Sequence, residues 1–231
     1  MQKKTIGLIG GIGWASSAEY YRLINELTAA RLGLAHSARI VLLSLDQYDF
    51  TSRAAESDPL AICNFLVTQV HKLKDAGADF FLFCANGAHR FVPAIYPRLP
   101  MPFVSIVDAT VDKVKASGIE KVGLLGVRQT MAGSFYHDRL RAAGIATLTP
   151  DTATQDSIHD IIYNELIHNR LTQRSRALFV EYIQALADKG AQGIILGCTE
   201  IPLLIRQEDV ALPIFNTTAI HCQAAVDFAF A

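Results

Sequence analysis

The sequence predicts an α/β fold built from two similar halves, and three observations lead there. Short apolar runs of strand length alternate with longer segments of helical periodicity, the pattern of parallel sheets covered by helices. Two of those runs, in GADFFLFCANGAH from Gly77 and GAQGIILGCTEIPLL from Gly190, open on the same Gly-Ala turn and end in small polar residues. Further echoes follow in the same chain order, Ile6-Gly7-Leu8 with Val122-Gly123-Leu124 and Pro102 with Pro213, so the three separations are 116, 113 and 111 residues. A duplicated unit accounts for all of them. The expectation is two pseudo-symmetric, Rossmann-like domains with parallel sheets and a ligand site in the cleft between them, where strand carboxyl ends converge. The first domain is placed at residues 1–112 plus 212–231, the last helix returning to it, and the second at residues 113–211.

Size and composition narrow the function. At 231 residues with 51% hydrophobic content the chain can bury a full core. A net charge of −1 gives no electrostatic reason to expect nucleic acid or a membrane surface as partner. Cys63, Cys84, Cys198 and Cys222 form no CxxC pair and have no metal-ligand spacing, which fits free thiols in a reducing cytoplasm and predicts no metal. Apolar runs are broken by charge, Gly or Pro within about 18 residues, too short to span a membrane. A soluble cytoplasmic protein with a small-molecule ligand is expected.

In the first half, Lys4 to Gly10 reads as a buried strand, followed by GGIGWASS and a helix from Ala18 to Ala30 that Ser16 or Ser17 could cap. The glycines let the backbone approach a ligand, and the helix start favours an anion. Ser16 stands where a dinucleotide fingerprint needs its third glycine, so a carboxylate-sized anion is expected there rather than a pyrophosphate. Arg39 to Leu45 is the second strand. The polar segment after it, DQYDFTSRAAESD, is predicted as a loop carrying Arg53, a candidate bidentate clamp for a carboxylate. A helix from Pro59 to Asp75, a strand from Asp79 to Cys84, a loop Ala85 to His89 and a helix Arg90 to Tyr96 come next. MPFVSIVD is predicted as a fourth strand, with a helix from about Ala109 to Ser117.

The second half repeats the plan: a strand in IEKVGLLG, a helix around Ser134 to Ala143, a strand near Ala146 to Leu148 and a long helical region from Asp156 to Lys189. The apolar run Gly193 to Leu196 then delivers Gly197, Cys198, Thr199 and Glu200 at a strand end, ahead of a helical turn near Pro202. That setting is expected to lower the thiol pKa, as backbone N–H groups at a helix start do. Thr199 and Glu200 suit an amino-acid headgroup or orientation of the thiol, and Asn86 at the matching place in the first half offers two donors and an acceptor. Aligning the halves puts Ala85 opposite Cys198 and Gly87 opposite Glu200. His89 and His221 read as packed or surface histidines rather than bases.

GLIGGIGWASSAEYYRLIN, FCANGAH, LGCTEIPLLI and LPIFNTTAIH together resemble the aspartate/glutamate racemase family, the cofactor-independent amino-acid racemases, across essentially the whole chain. The resemblance implies isomerase chemistry on a small-molecule amino acid without a cofactor, a homodimer, and a two-base mechanism in which each half supplies one acid/base group. Carried over residue by residue, the second of these is Cys198, and the first falls on Ala85, where the family usually has cysteine and some members threonine. The loop threonine is Gly87 here, the residue after the glycine pair is Ile12, and the usual aspartate of the last strand is Asn216. Alanine has no exchangeable proton, which leaves three readings: a racemase with a substitute acid, a one-thiol decarboxylase or lyase, and an amino-acid-binding protein without turnover. Arg53 would hold one carboxylate, Arg170 or Arg176 the other end of the substrate, and Asn86, Gly87, Thr199 and Glu200 would line the site.

Overall fold

In the computed structural model, which describes residues 3–231, the chain forms two compact units. One runs to Ile106 and takes back His221–Ala231; the other is Val107–Ile220.

The first unit contains β1 (Ile6–Gly10), α1 (Trp14–Leu32), β2 (Ile40–Ser44), α2 (Gln47–Ala55), α3 (Pro59–Asp75), β3 (Phe80–Phe83) and α4 (Val92–Ile95). Its sheet has the order β2-β1-β3, all parallel, with Ile6 in register with both Ile40 and Phe80. β1 and β3 are buried along their length because both faces are covered. One face packs Ile9, Phe81 and Phe83 against Ile62, Leu66 and Val70 of α3. The other packs Leu8, Phe80 and Leu82 against Tyr20 and Ile24 of α1 and against Cys222, Ala225 and Val226 near the C-terminus.

The second unit opens with α5 (Ile106–Ala116), whose first residue is the last of the first unit, and continues through β4 (Lys121–Leu125), α6 (Arg128–Ala132), α7 (Ser134–Ala142), β5 (Ala146–Leu148), α8 (Thr152–Asn164) and α9 (Gln173–Asp188). It ends with β6 (Gly193–Leu196), α10 (Ile201–Leu204), β7 (Ile214–Asn216) and α11 (Thr217–Ala229), which crosses back into the first unit. The sheet order β5-β4-β6-β7, again all parallel, repeats the first sheet with one strand added. Each unit is thus a Rossmann-like parallel α/β unit, and the internal echoes fall on equivalent strands: β1 on β4 and β3 on β6.

The structure departs from the sequence reading at several elements. The predicted strand in MPFVSIVD reduces to a single parallel bridge between Phe103 and Phe81, held by Phe81 N–H to Pro102 O and Val104 N–H to Phe81 O. Proline lacks the donor needed to extend it, and α5 begins at Ile106 rather than Ala109. The expected long helix from Asp156 splits. A 3-10 turn at Leu166–His168 is followed by Asn169 in the left-handed region at φ 56, and Thr172 caps α9 by accepting from Ser175 N–H. The segment after β2 is a helix, α2, not a loop, because Asp46 accepts from Tyr48 N–H and caps it. The helix predicted from Arg90 is a composite of 3-10 turns around α4. The joints between units fall after Ile106 and Ile220 instead of after residues 112 and 211. β7 accounts for the second shift, since its pairing with β6 keeps residues 214–216 in the second sheet. Among the described residues no helix is long and apolar enough to cross a membrane.

Candidate functional site

The loop after β6 carries Cys198, Thr199 and Glu200. Gly197 N–H donates to Leu125 O at 2.6 Å, tying the end of β6 to the end of β4. The approach requires glycine: a Cβ on Gly197 would stand 2.9 Å from Leu125 O and 2.9 Å from Thr130 Cγ2. Gly126 is equally confined: a Cβ there would stand 2.9 Å from Gly197 O. From the other side, the Thr217 hydroxyl donates to Leu196 O at 2.8 Å. Cys198 therefore leaves a strand end fixed by three neighbouring segments. The Gly126–Gly197 approach is not among the features expected from sequence, although a glycine directly after each of two adjacent apolar strands signals it.

The Cys198 thiol donates to Glu200 Oε2 at 3.0 Å, and the Thr199 hydroxyl donates to the same oxygen at 2.9 Å. All three residues are buried, Cys198 being 8% exposed and packed with Leu196, Ile201 and Leu204. The expected depression of the thiol pKa is overturned. Burial first, and then the charge and hydrogen-bond acceptance of Glu200, push the Cys198 thiol well above its ordinary value, while backbone N–H groups of Glu200 and Thr199 oppose them more weakly. α10 is four residues long, too short to bring a helix dipole to bear. At neutral pH the resting sulfur is a thiol.

The loop after β3 is built differently. Ala85 is half-buried and extended, and Asn86, buried, starts the 3-10 turn that follows. Gly87 has open space where a side chain would be. Cys84, next to Ala85, faces the apolar cluster of Leu8, Tyr20, Phe80 and Cys222, and burial raises its pKa strongly. His89 anchors the loop: its Nδ1 lies 3.0 Å from Ala85 O, and its Nε2 accepts from Ile106 N–H at 3.2 Å. That arrangement places the proton on Nδ1, which donates to the carbonyl. His221 Nε2 lies 2.9 Å from Val104 O, and its Nδ1 pairs with the Tyr20 hydroxyl at 2.8 Å. Burial lowers the pKa of His89 to about 4, and burial together with the His89 charge lowers that of His221 to about 3. Both are packed neutral histidines.

The glycine loop after β1 is held by serines that do not cap. α1 starts at Trp14, so Ser16 and Ser17 lie in its first turn. Ser17 Oγ accepts from Gly11 N–H at 2.8 Å, and Ser16 Oγ donates to Cys84 O at 2.9 Å, joining this loop to the end of β3. Ile12 packs against the apolar cluster of the α3 face.

The candidate arginines have partners in the structure. Arg53, on α2, donates to Asp49 Oδ1 at 2.9 Å and lies 4.5 Å over the Phe65 ring. Arg176 pairs with Asp209 at 2.7 Å. Arg170 is exposed in the α8–α9 connection. Asn216 accepts from Ala219 N–H at 3.1 Å and so caps α11. Among the described residues, no group of three or more His, Cys, Asp or Glu side chains could hold a metal ion.

Comparison with known proteins matches these features to a family. The Asp/Glu/Hydantoin racemase family model matches residues 9–225. A solved structure of a candidate Asp/Glu racemase from Yersinia pestis is 41% identical, covers 99% of this chain and 100% of its own, and superposes with a TM-score of 0.91. An aspartate racemase homologue from Pyrococcus horikoshii is 28% identical over the same shares, with a TM-score of 0.87. The broad-specificity amino-acid racemase RacX of Bacillus subtilis is 20% identical over 96% of each chain. With a match spanning both units and every loop described above, this chain belongs to the Asp/Glu/Hydantoin racemase family.

Proposed function

We propose that this protein is a cofactor-independent amino-acid racemase of the aspartate/glutamate type, with Cys198 as its acid/base group. The observation that carries the reading is the hydrogen bond from the Cys198 thiol to Glu200 Oε2. In a buried site a free thiolate beside a carboxylate would place two negative charges in poor solvent. Moving the proton along the existing bond yields a thiolate and a neutral carboxylic acid, so the pair still carries one negative charge when it meets the substrate. The thiolate then takes the α-hydrogen of the amino acid as a proton: the C–H bond breaks, an S–H bond forms, and the electron pair stays on the α-carbon. In the reverse direction the thiol, with Glu200 still a neutral carboxylic acid beside it, delivers its proton to the carbanion. Thr199 holds the carboxylate in place at 2.9 Å. A racemase needs a second proton from the opposite face, and the methyl group of Ala85 cannot supply it, so water or another side chain must.

Arg53 is the proposed clamp for a substrate carboxylate. Its pairing with Asp49 is exposed to solvent, and such pairs contribute about 0–1 kcal/mol, too little to hold the guanidinium against a bound anion. Arg170, exposed, is the proposed second clamp; Arg176 is committed to Asp209. Asn86, Gly87 and Ile12 are proposed to contribute to the amino-acid site from their loops. The open space at Gly87 favours a side chain larger than that of aspartate.

Ala85 also favours a second reading, a one-thiol decarboxylase or lyase of the same superfamily. Proton NMR in deuterium oxide with a panel of L- and D-amino acids tests both. Exchange of the α-hydrogen with inversion supports racemisation. Exchange with retention, or loss of carboxylate, supports one-face chemistry. Binding without exchange by any amino acid would reduce the protein to a receptor. Loss of exchange in Cys198→Ala with substrate binding intact is the expected signature of the thiol.

A further inference from the structure

The loop after β3 is held by a closed circuit of hydrogen bonds within the first unit, and His89 is one member of it. Two consecutive carbonyls of the loop are fixed: Ser16, in the first turn of α1, donates to Cys84 O at 2.9 Å, and His89 Nδ1–H donates to Ala85 O at 3.0 Å. His89 Nε2 accepts from Ile106 N–H at 3.2 Å. Two residues earlier in the chain, Val104 O accepts from His221 Nε2–H at 2.9 Å, and His221 Nδ1 accepts from the Tyr20 hydroxyl at 2.8 Å. Tyr20 stands one turn beyond Ser16 on the same face of α1, where the path closes.

Backbone groups fix where the protons sit. Ile106 N–H only donates, and the carbonyls of Ala85 and Val104 only accept, so the two imidazoles take opposite tautomers with every ring nitrogen bonded. Their centroids are 5.6 Å apart, and Ser16, Tyr20, His89, Ile106 and His221 are all buried. Packing alone does not account for the pair. A phenyl ring at position 89, beside Phe83 and Phe103 at 5.9 and 5.4 Å, would fill the space without a buried donor and acceptor to satisfy. The network instead fixes a direction. Among the described residues every peptide bond is trans, so Ala85 O turned toward His89 turns the Asn86 N–H away from it. The circuit also takes in both ends of the chain's excursion into the second unit, since the first unit stops at Ile106 and resumes at His221.

We propose that His89 and His221 are positioning residues: through this circuit they hold the Ala85–Asn86 peptide in one orientation, keyed to the two points where the chain leaves and re-enters the first unit. The proposal rests on the reading of that loop as part of the amino-acid site. Neither imidazole touches the substrate or moves a proton in the reaction. His89 acts on the loop directly through Ala85 O. His221 acts at one remove, by fixing Val104 O and so the backbone that presents Ile106 N–H to His89. Buried networks of this kind hold their members in one arrangement only while every bond is made. A displacement of about 1 Å at a reacting group costs about 10²-fold in rate, which sets the size of the effect expected when the circuit is cut.

Paired variants test it, because the amide nitrogen of Asn stands near the place of Nδ1 and that of Gln near the place of Nε2. His89→Asn keeps a donor for Ala85 O, His89→Leu keeps none, and both lose the acceptor for Ile106 N–H. Both are expected to lose stability in urea, yet to differ at the loop. In His89→Leu the amides of the 3-10 turn Asn86–Phe91 should exchange with solvent at least about 10-fold faster than in the wild type. Exchange of the substrate α-hydrogen should fall by about 10²-fold in the same variant and stay within about threefold in His89→Asn. His221→Gln keeps the donor to Val104 O and His221→Asn loses it, so the same contrast is expected, with Gln near the wild type. Members of a pair that decline together, in step with their stability, would reduce both histidines to packing and overturn the proposal. The amide readout does not need turnover. A wild-type protein that exchanges no α-hydrogen would remove the racemase reading, whereas equal loop exchange within each pair would remove the positioning role. The His221 pair decides the matter if His89→Leu fails to fold.

Discussion

The Cys198 thiol and the Glu200 carboxylate, two residues apart, share a proton across 3.0 Å in a site both chains of atoms bury. In the proposed mechanism neither residue alone is the base toward a carbon acid. The thiol is held protonated by burial and by the carboxylate charge, and the carboxylate is the nearest place its proton can go. In the proposed mechanism, reactivity at this strand end is a property of the pair.

Glu200→Gln separates thiol acidity from activity. Removing the negative charge takes away two of the causes that raise the Cys198 pKa, so the thiol ionises at lower pH than in the wild type. Amidation also removes the proton acceptor, and α-hydrogen exchange is expected to fall by about 10² to 10⁴, the usual contribution of an acid/base group. Alkylation rate against pH and NMR exchange on the same variant check the two halves. A variant that alkylates more readily and exchanges as fast as wild type would leave Glu200 without a role in proton transfer.

Ala85→Cys asks whether the first half lacks only a proton. Ala85 is half-buried in an extended backbone, and the change adds one sulfur. If position 85 serves the reaction as the family resemblance implies, racemisation of the best substrate should rise by about 10² or more. Polarimetry or chiral chromatography measures it. An unchanged rate in a folded variant would mean that the second proton arrives from elsewhere.

Much of this was legible from periodicity and repetition, because buried parallel strands announce themselves as apolar runs and a duplication repeats them. The loop positions of Cys198 and Ala85 followed from strand ends alone. Tertiary balance was not legible. The thiol pKa depends on how burial and Glu200 outweigh two backbone donors, which no local pattern records. The helix bearing Arg53 was hidden because its segment is polar, and only the Asp46 cap betrays it. The strand lost at Phe103 shows the opposite failure: an apolar run predicts burial, and Pro102 decides that the burial is not accompanied by a ladder.

Two glycines of candidate loops should respond oppositely to alanine. Gly11 has φ +83, and a Cβ there would fall 2.0 Å from Leu45 O, a backbone atom that cannot turn aside. Strain at such a position costs about 1–3 kcal/mol before the clash is counted, so Gly11→Ala is expected to lose at least that much in urea denaturation. A Cβ on Gly87 meets nothing within 4 Å, and Gly87→Ala should stay within about 0.5 kcal/mol of wild type. Equal losses at both positions would contradict the geometry of the glycine loop.

The buried histidines predict acid sensitivity beginning above the carboxylate range. His89 and His221 have folded pKa values of about 4 and about 3, below the 6.5 of the unfolded chain. Above 6.5 both states bind no proton at these sites and nothing changes with pH. As pH falls from 6.5 toward 4, the unfolded state takes up protons that the folded state refuses, so stability drops across that window and the loss levels off below the folded values. At about 1.4 kcal/mol per unit the combined loss is several kcal/mol. Urea midpoints measured from pH 7.5 to 4.5 should therefore fall steeply. His89→Gln, less stable at pH 7.5 because it disturbs the bonds to Ala85 O and Ile106 N–H, should show a flatter decline. A wild-type midpoint constant between pH 6.5 and 5 would mean that these imidazoles are not held neutral.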